Sequence, residues 1–323
     1  TPAQALTLAN LEIPLCAEDL SRRPKAGPAL RGAPGILGSL ASVFPGLVVS
    51  LANNHMMDYG ETGLAQTIEA CTAARIPCFG AGANLAEASA ELRLKREGLE
   101  IALLGVCERQ FGIATPIQAG VAHLTPALLA RIRTLRDQVD RVIVSVHGGA
   151  EMSAWPAPFW QQTLRALAAA GAHIVHGHHP HIPQGFELWA GAWIVYGPGN
   201  TIVNPAAWPS PSATLRSWRF ELDLHDLGKV PQVSAWSIVS PRPRAVELQS
   251  TATDAAQLAF CNSPLENPAL LEGLWQEYAN ALWQSFYRST LKPGFEATEG
   301  VAGIMDRLRS GLQALAAPAR WQA

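Results

Sequence analysis

Short apolar runs alternate with amphipathic stretches from the N-terminus to about residue 200. LVVSLA (47–52), IALLGVC (101–107), VIVSV (142–146), HIVHG (173–177) and AWIVY (192–196) have the length and Val/Ile content of strands, and Gly, Asn or His closes them. Between them apolar residues recur at helical spacing: Leu64, Ile68 and Cys71 in one stretch, Trp160, Leu164 and Leu167 in another. Strand–helix alternation predicts an α/β domain, and runs apolar throughout predict a sheet covered on both faces. From about 213 to 248, TLRSWRFELDLH and VSAWSIVS read as sequential antiparallel strands, broken at Gly228-Lys229 and at Pro241. After 250 the pattern turns helical. Leu271, Trp275, Tyr278 and Leu282 form one stripe, Ile304, Leu308, Leu312 and Leu315 another, and Lys292-Pro293-Gly294 makes the turn between them. The expectation is an α/β fold in which two packed sheets lie between helices over residues 1–250, with a helical extension over 251–323.

Composition narrows the functional classes. The 323 residues are 48% hydrophobic, ample for one large domain with a smaller appendage. A net charge of −2 and the lack of Lys/Arg blocks give no reason to propose nucleic acid or a membrane surface as partner. The densest basic stretch, Arg22, Arg23 and Lys25, sits among Pro and Gly and reads as an exposed loop. Five cysteines show no CxxC spacing, and Cys71 and Cys107 fall inside apolar runs as buried thiols. That usage suits a reducing compartment, so a cytoplasmic location is expected. No apolar run reaches the roughly 18 residues of a membrane span, and no signal peptide is visible. The numbering opens at Thr1 without Met, which leaves open a leader or a first strand upstream. Trp155, Trp160, Trp189 and Trp193 are read as core, with a pocket wall for a peptide or polymer as the alternative, and GAGAN (80–84) as a tight turn, since it lacks the GxGxxG spacing.

Chemistry gathers where strands end. Asn53, Asn54 and His55, then Asp58, follow LVVSLA; His147, Gly148, Gly149 and Glu151 follow VIVSV. HIVHG leads into His178-His179-Pro180-His181, and Asn10 and Glu12 close a short apolar run near the N-terminus. In open α/β sheets ligands bind beyond the carboxyl ends of the strands. Four segments delivering carboxylate, amide and imidazole suit divalent Mn, Fe, Zn or similar ions. Four of the nine histidines lie in HGHHPH (176–181). No Ser sits on a GxSxG elbow, so a Ser–His–Asp triad is not supported.

The ordered motifs NLEIP, LANNHMMDYG, GAGAN followed by EA, VSVHGGAE, GAHIVHGHHPHIPQGFE and IVYGPGN resemble the CapA family. These are poly-γ-glutamate capsule biosynthesis proteins on the calcineurin-like metallophosphoesterase fold. The resemblance covers about residues 8–203 and implies a role for each matching position. Glu12 would be the bridging carboxylate, Asn54 an amide ligand, His147 and His179 ligands of one of two metal ions, and His181 a ligand of the other. His55 would be the acid over the leaving group, oriented by Asp58. Glu151, Gln184 and Asn53 would line the substrate pocket, and His176 and His178 fall at variable positions. The family opens with a strand ending in Gly-Asp, whose Asp binds the first metal, and nothing before Asn10 supplies it. Either that strand lies upstream of this numbering or the first site is incomplete.

The resemblance implies a metal-dependent hydrolase acting on a phosphoester or a peptide-like, poly-γ-glutamate-like substrate. A metal-dependent peptide epimerase is one alternative, a non-catalytic metal-binding module in capsule assembly another. The expected partner is a small-molecule, peptide or polymer substrate.

Overall fold

The computed structural model describes residues 5–25, 27–203, 212–242, 245–251 and 255–286. They fall into two compact units, one built from 1–148, 166–178 and 189–192, the other from 149–165, 179–188 and 193–323.

In the first unit, strands Thr7–Asn10, Leu47–Ser50 and Cys78–Phe79 lie side by side in parallel. A larger sheet pairs Leu92–Arg96 antiparallel with Leu99–Cys107, to which Arg141–His147 and then Ile174–His178 add in parallel. Leu99–Cys107 and Arg141–His147 are buried along nearly their whole length. Their continuous apolar sequence requires this, because a strand with one wet face would alternate. Helix Gly60–Ala73 sets Leu64, Thr67 and Cys71 inward. Leu64 and Cys71 join a core with Leu47, Val49, Leu51, Met56 and Met57. That core anchors the loop after Leu47–Ser50, which carries Asn53, Asn54 and His55.

GAGAN is more than the expected turn. Ala81–Gly82 pairs with Gly120–Val121, and the Asn84 side chain accepts the Glu87 N–H to cap helix Leu85–Ala88. Gly80 holds φ +88°, and a Cβ there would stand 2.8 Å from the Ala52 Cβ. Only glycine lets the two chains approach so closely.

In the second unit, Arg216–Glu221, Gln232–Arg242 and Ala245–Thr251 form an antiparallel meander. Pro241, expected to break the strand, lies inside it where the register shifts between Val239 and Arg242. Proline lacks the ladder N–H and is tolerated at such irregularities. Helices Ala255–Asn262 and Pro268–Phe286 follow. Leu271 and Leu274 pack in one cluster with Trp155 and Ile182. The Trp155 indole donates to the Phe260 carbonyl at 3.0 Å, and the Tyr278 hydroxyl to that of Glu151 at 2.6 Å. The buried stripe of the long helix runs through Leu271, Leu274, Tyr278 and Ala281, whereas Leu282 is 46% exposed. The expected stripe thus holds at Leu271 and Tyr278, while Leu274 and Ala281 take the places expected of Trp275 and Leu282. Of the four tryptophans read as core, Trp155, Trp160 and Trp193 are buried and Trp189 is largely exposed. Ile304, Leu308, Leu312, Leu315 and the turn at 292–294 lie outside the described residues. Among the described residues no helix is long and apolar enough to cross a membrane.

Candidate functional site

His147 closes strand Arg141–His147 and is fully buried. Its Nε2 lies 3.0 Å from Asn54 Oδ1 and 3.7 Å from Glu12 Oε1. Its Nδ1 lies 2.7 Å from Nδ1 of His178, in register on the neighbouring strand, and His178 Nε2 is 2.9 Å from the Ser145 hydroxyl. Ser145 and His178 therefore fix the His147 ring by its inner nitrogen and aim the other at an amide oxygen and a carboxylate. Metal-ligating histidines are characteristically held in this way by their second nitrogen. His178 was expected to be a variable position, and the structure makes it the support of a candidate ligand.

Asn53 ties the two ligand-bearing loops together. Its Nδ2 donates to Leu11 O at 2.9 Å and to Asn10 Oδ1 at 3.2 Å, and its Oδ1 accepts the His55 N–H at 3.1 Å. It is wholly buried, so its amide serves the loop that positions Glu12 and Asn54. The Asn10 amide in turn donates to Glu12 Oε2 at 3.1 Å.

His55 Nδ1 lies 2.8 Å from Asp58 Oδ2, the contact that the resemblance implied. The structure adds Lys25. Its ammonium is ion-paired to Asp58, stands 3.0 Å from His55 Nδ1 and donates to Asn54 O at 3.3 Å. The Lys25 side chain is only 8% exposed, which corrects the reading of this basic stretch as an exposed loop. Asp58 is completely buried, and a buried carboxylate needs a countercharge. The loop is pinned by the Arg23 N–H on Asp58 O at 2.7 Å, while Asp58 Oδ2 accepts the Leu30 N–H, also at 2.7 Å.

The second unit carries another candidate set. Glu151, His179 and His181 each offer a ligand atom, all within 4.8 Å of one another. His179 Nε2 lies 3.4 Å from Glu151 Oε1, and His181 Nδ1 lies 3.1 Å from Asn200 Oδ1. Asn200, at the end of IVYGPGN, was not singled out from the sequence; its motif position was the available signal. His179 and His181 both have positive φ, +110° and +62°. Strain of this kind, about 1–3 kcal/mol per residue, concentrates at functional positions. Gln184 is fully buried and donates to Ser153 O at 2.9 Å, so it supports this loop from beneath.

His173 and His176 have structural settings. His173 Nδ1 accepts the Val142 N–H at 2.9 Å; burial, together with Arg136 and Arg141, pushes its pKa down to about 4. Burial does the same to His176.

The family described as bacterial capsule synthesis protein PGA_cap matches residues 2–205. Capsule biosynthesis protein CapA of Bacillus anthracis is 35% identical over 164 residues, 49% of this chain and 40% of that protein. PGA biosynthesis protein CapA of Bacillus subtilis is 33% identical over 162 residues, 49% of this chain and 42% of that protein. A probable polyglutamine synthesis accessory protein of Mycobacterium tuberculosis is 30% identical over 220 residues, covering 62% and 56% of the two chains. The chain thus spans less than half the length of the two Bacillus relatives it matches. Among solved structures, a hypothetical protein of Thermus thermophilus aligns at 17% identity and TM-score 0.34, covering 64% of this chain and 77% of that one. A phosphatase of Mycoplasma pneumoniae aligns at 12% identity and TM-score 0.33, covering 72% and 93%.

Proposed function

The chain belongs to the bacterial capsule synthesis protein family, and from that premise we propose that it is a metal-dependent hydrolase acting on a phosphoester or a poly-γ-glutamate-like peptide. The observation that carries the proposal is the convergence of carboxylate, amide oxygen and imidazole at Glu12, Asn54 and His147, with the His147 ring held from behind by His178. A mixed oxygen and nitrogen donor set suits Mn, Fe or Zn, so the residues present fit such an ion. Glu12, Asn54 and His147 would hold metal in the first unit. His179 and His181, beside Glu151, would do so in the second, which accounts for the backbone strain at both histidines. Two divalent ions of this kind supply Lewis acidity and a strong nucleophile from water at neutral pH.

The chain's own acid–base group is His55. Asp58 and Lys25 occupy its Nδ1 side, which leaves Nε2 to hand a proton to the leaving group. We propose a family part over 1–250 and a second part over 251–323, whose described residues include helices Ala255–Asn262 and Pro268–Phe286. The second part supports the first through Tyr278, which holds the backbone of Glu151.

The test uses nitrophenyl phosphate and a γ-glutamyl peptide as substrates, with chelator-stripped and Mn-restored protein. Turnover of either substrate should require metal. The His55→Ala variant should lose about 10²–10⁴ in rate, the usual contribution of a general acid, with metal content unchanged. Deuterium entry at Cα without cleavage would replace hydrolysis with epimerisation. Loss of metal together with activity would make His55 a ligand and end its role as acid.

A further inference from the structure

Two thiols meet in the first unit, on the elements that support the loop of Asn54 and His55. Cys71 lies in the last turn of helix Gly60–Ala73 and is fully buried. Past a short turn, Cys78 opens strand Cys78–Phe79 and is only partly buried. The way the helix ends brings them together. Arg75 takes a left-handed φ of +56°, and the Ile76 N–H turns back to the Cys71 carbonyl at 2.9 Å. A left-handed residue past the last turn is a usual way to stop a helix and fold the chain back on it. The strand then pairs with Leu47–Ser50, Cys78 opposite Val49 and Phe79 opposite Ser50. Both cysteines pack in one apolar core, and their side chains are hydrogen-bonded to each other.

The pair is asymmetric. The hydrogen bond that the Cys71 thiol donates favours the Cys78 thiolate and draws the Cys78 pKa down against the effect of burial. The same bond, together with burial, pushes Cys71 up. The thiolate is the reactive form, and oxidant-sensitive cysteines are reachable, of low pKa and placed beside a second thiol that resolves them. Cys78 meets all three conditions, with Cys71 as the second thiol. The remaining cysteines do not. Burial raises the pKa of Cys16 and of Cys107, and Cys261, also buried, donates to the Pro183 carbonyl at 3.7 Å.

We propose that Cys71 and Cys78 are a reversible oxidation site, which a small hydroperoxide closes into a disulfide. The Cys78 sulfur attacks one peroxide oxygen and the O–O bond breaks. With hydrogen peroxide, the departing hydroxide takes the Cys78 proton and leaves as water, and Cys78 becomes a sulfenic acid. The Cys71 sulfur then attacks the Cys78 sulfur. The S–S bond forms, the S–O bond breaks, and the second hydroxide takes the Cys71 proton and leaves as water. The thiol pair gives up one electron pair, which the peroxide accepts, and a dithiol reductant reverses the change. The new bond ties the end of helix Gly60–Ala73 to the segment whose Pro77 and Phe79 carbonyls accept the Val49 and Leu51 N–H groups, at 3.0 and 2.8 Å. Oxidation thereby braces the strand that leads into Asn53, Asn54 and His55.

The experiment treats the full, folded chain with hydrogen peroxide and counts thiols after denaturation. The count should fall from five to three and return to five with dithiothreitol. Peptide mapping should place the new bond between Cys71 and Cys78. Hydrogen exchange at the Val49 and Leu51 amides should be slower in the oxidised chain, and equal exchange in the two states would overturn the bracing. The variants separate the two roles. Cys71→Ser should leave Cys78 as a sulfenic acid that dimedone traps, while Cys78→Ser should keep Cys71 reduced under the same treatment. Circular dichroism checks that each variant is folded, and the wild-type count decides alone if one is not. The proposal is overturned if the wild type keeps five thiols, if the bond joins other cysteines or separate chains, or if it forms only in urea. It is also overturned if Cys71 in folded Cys78→Ser is oxidised as readily as Cys78 in Cys71→Ser.

Discussion

Replacing Lys25 with methionine removes the ammonium from a carboxylate that has no access to solvent. The change keeps the side-chain length that packs beside Phe111, so the lost interaction is electrostatic. Asp58 retains the Leu30 N–H at 2.7 Å and His55 Nδ1 at 2.8 Å, but no permanent cation. Leaving a buried charge without its partner costs about 3–5 kcal/mol. Lys25→Met should therefore be destabilised by about that amount at pH 7. Urea unfolding followed by tryptophan fluorescence measures this. A loss below about 1 kcal/mol would place the pair in the class of solvent-screened surface bridges and refute the reasoning.

Three further outcomes are expected. His178→Ala removes the group behind His147 but no ligand, so metal affinity should fall about 10- to 100-fold while saturating metal still restores full occupancy, as competition titration would reveal. Gly80→Ala sets a methyl group against Ala52 in a left-handed conformation and should destabilise the chain by about 1–3 kcal/mol in chemical denaturation. His173 titrates at about 4 when folded, below its ordinary value, so the unfolded chain binds the extra proton as pH falls. Its contribution is present above about pH 6.5 and is lost toward pH 4, by at most about 3 kcal/mol, and His173→Gln should flatten the thermal stability profile over that window.

What was legible in the sequence was local. The strands through 101–107 and 142–146 followed from unbroken apolar runs, and the meander from sequential strand patterns separated by turn residues. Glu12, Asn54, His147, His179 and His181 were expected as ligands because each closes or follows a strand and matches a family motif. What escaped was set by partners distant in the chain. Lys25 meets Asp58 across 33 positions, and nothing in its Pro- and Gly-rich surroundings marks a buried cation. His178 meets His147 only through the register of two parallel strands, which the order of residues does not state. The resemblance implied a pocket role for Asn53, and its amide is held by Leu11 and Asn10. Pro241 stays within a strand because a register shift absorbs it, a feature that depends on the partner strand.

Metal analysis of purified protein after reconstitution with Mn or Zn decides whether this chain binds catalytic metal through its strand-end residues. The wild type should hold about two ions per chain, as a paired-metal hydrolase does. His147→Ala and His179→Ala should each lose bound metal, while His178→Ala retains it under saturation. A reconstituted wild type without stoichiometric metal, or a His179→Ala variant with undiminished content, would contradict the account.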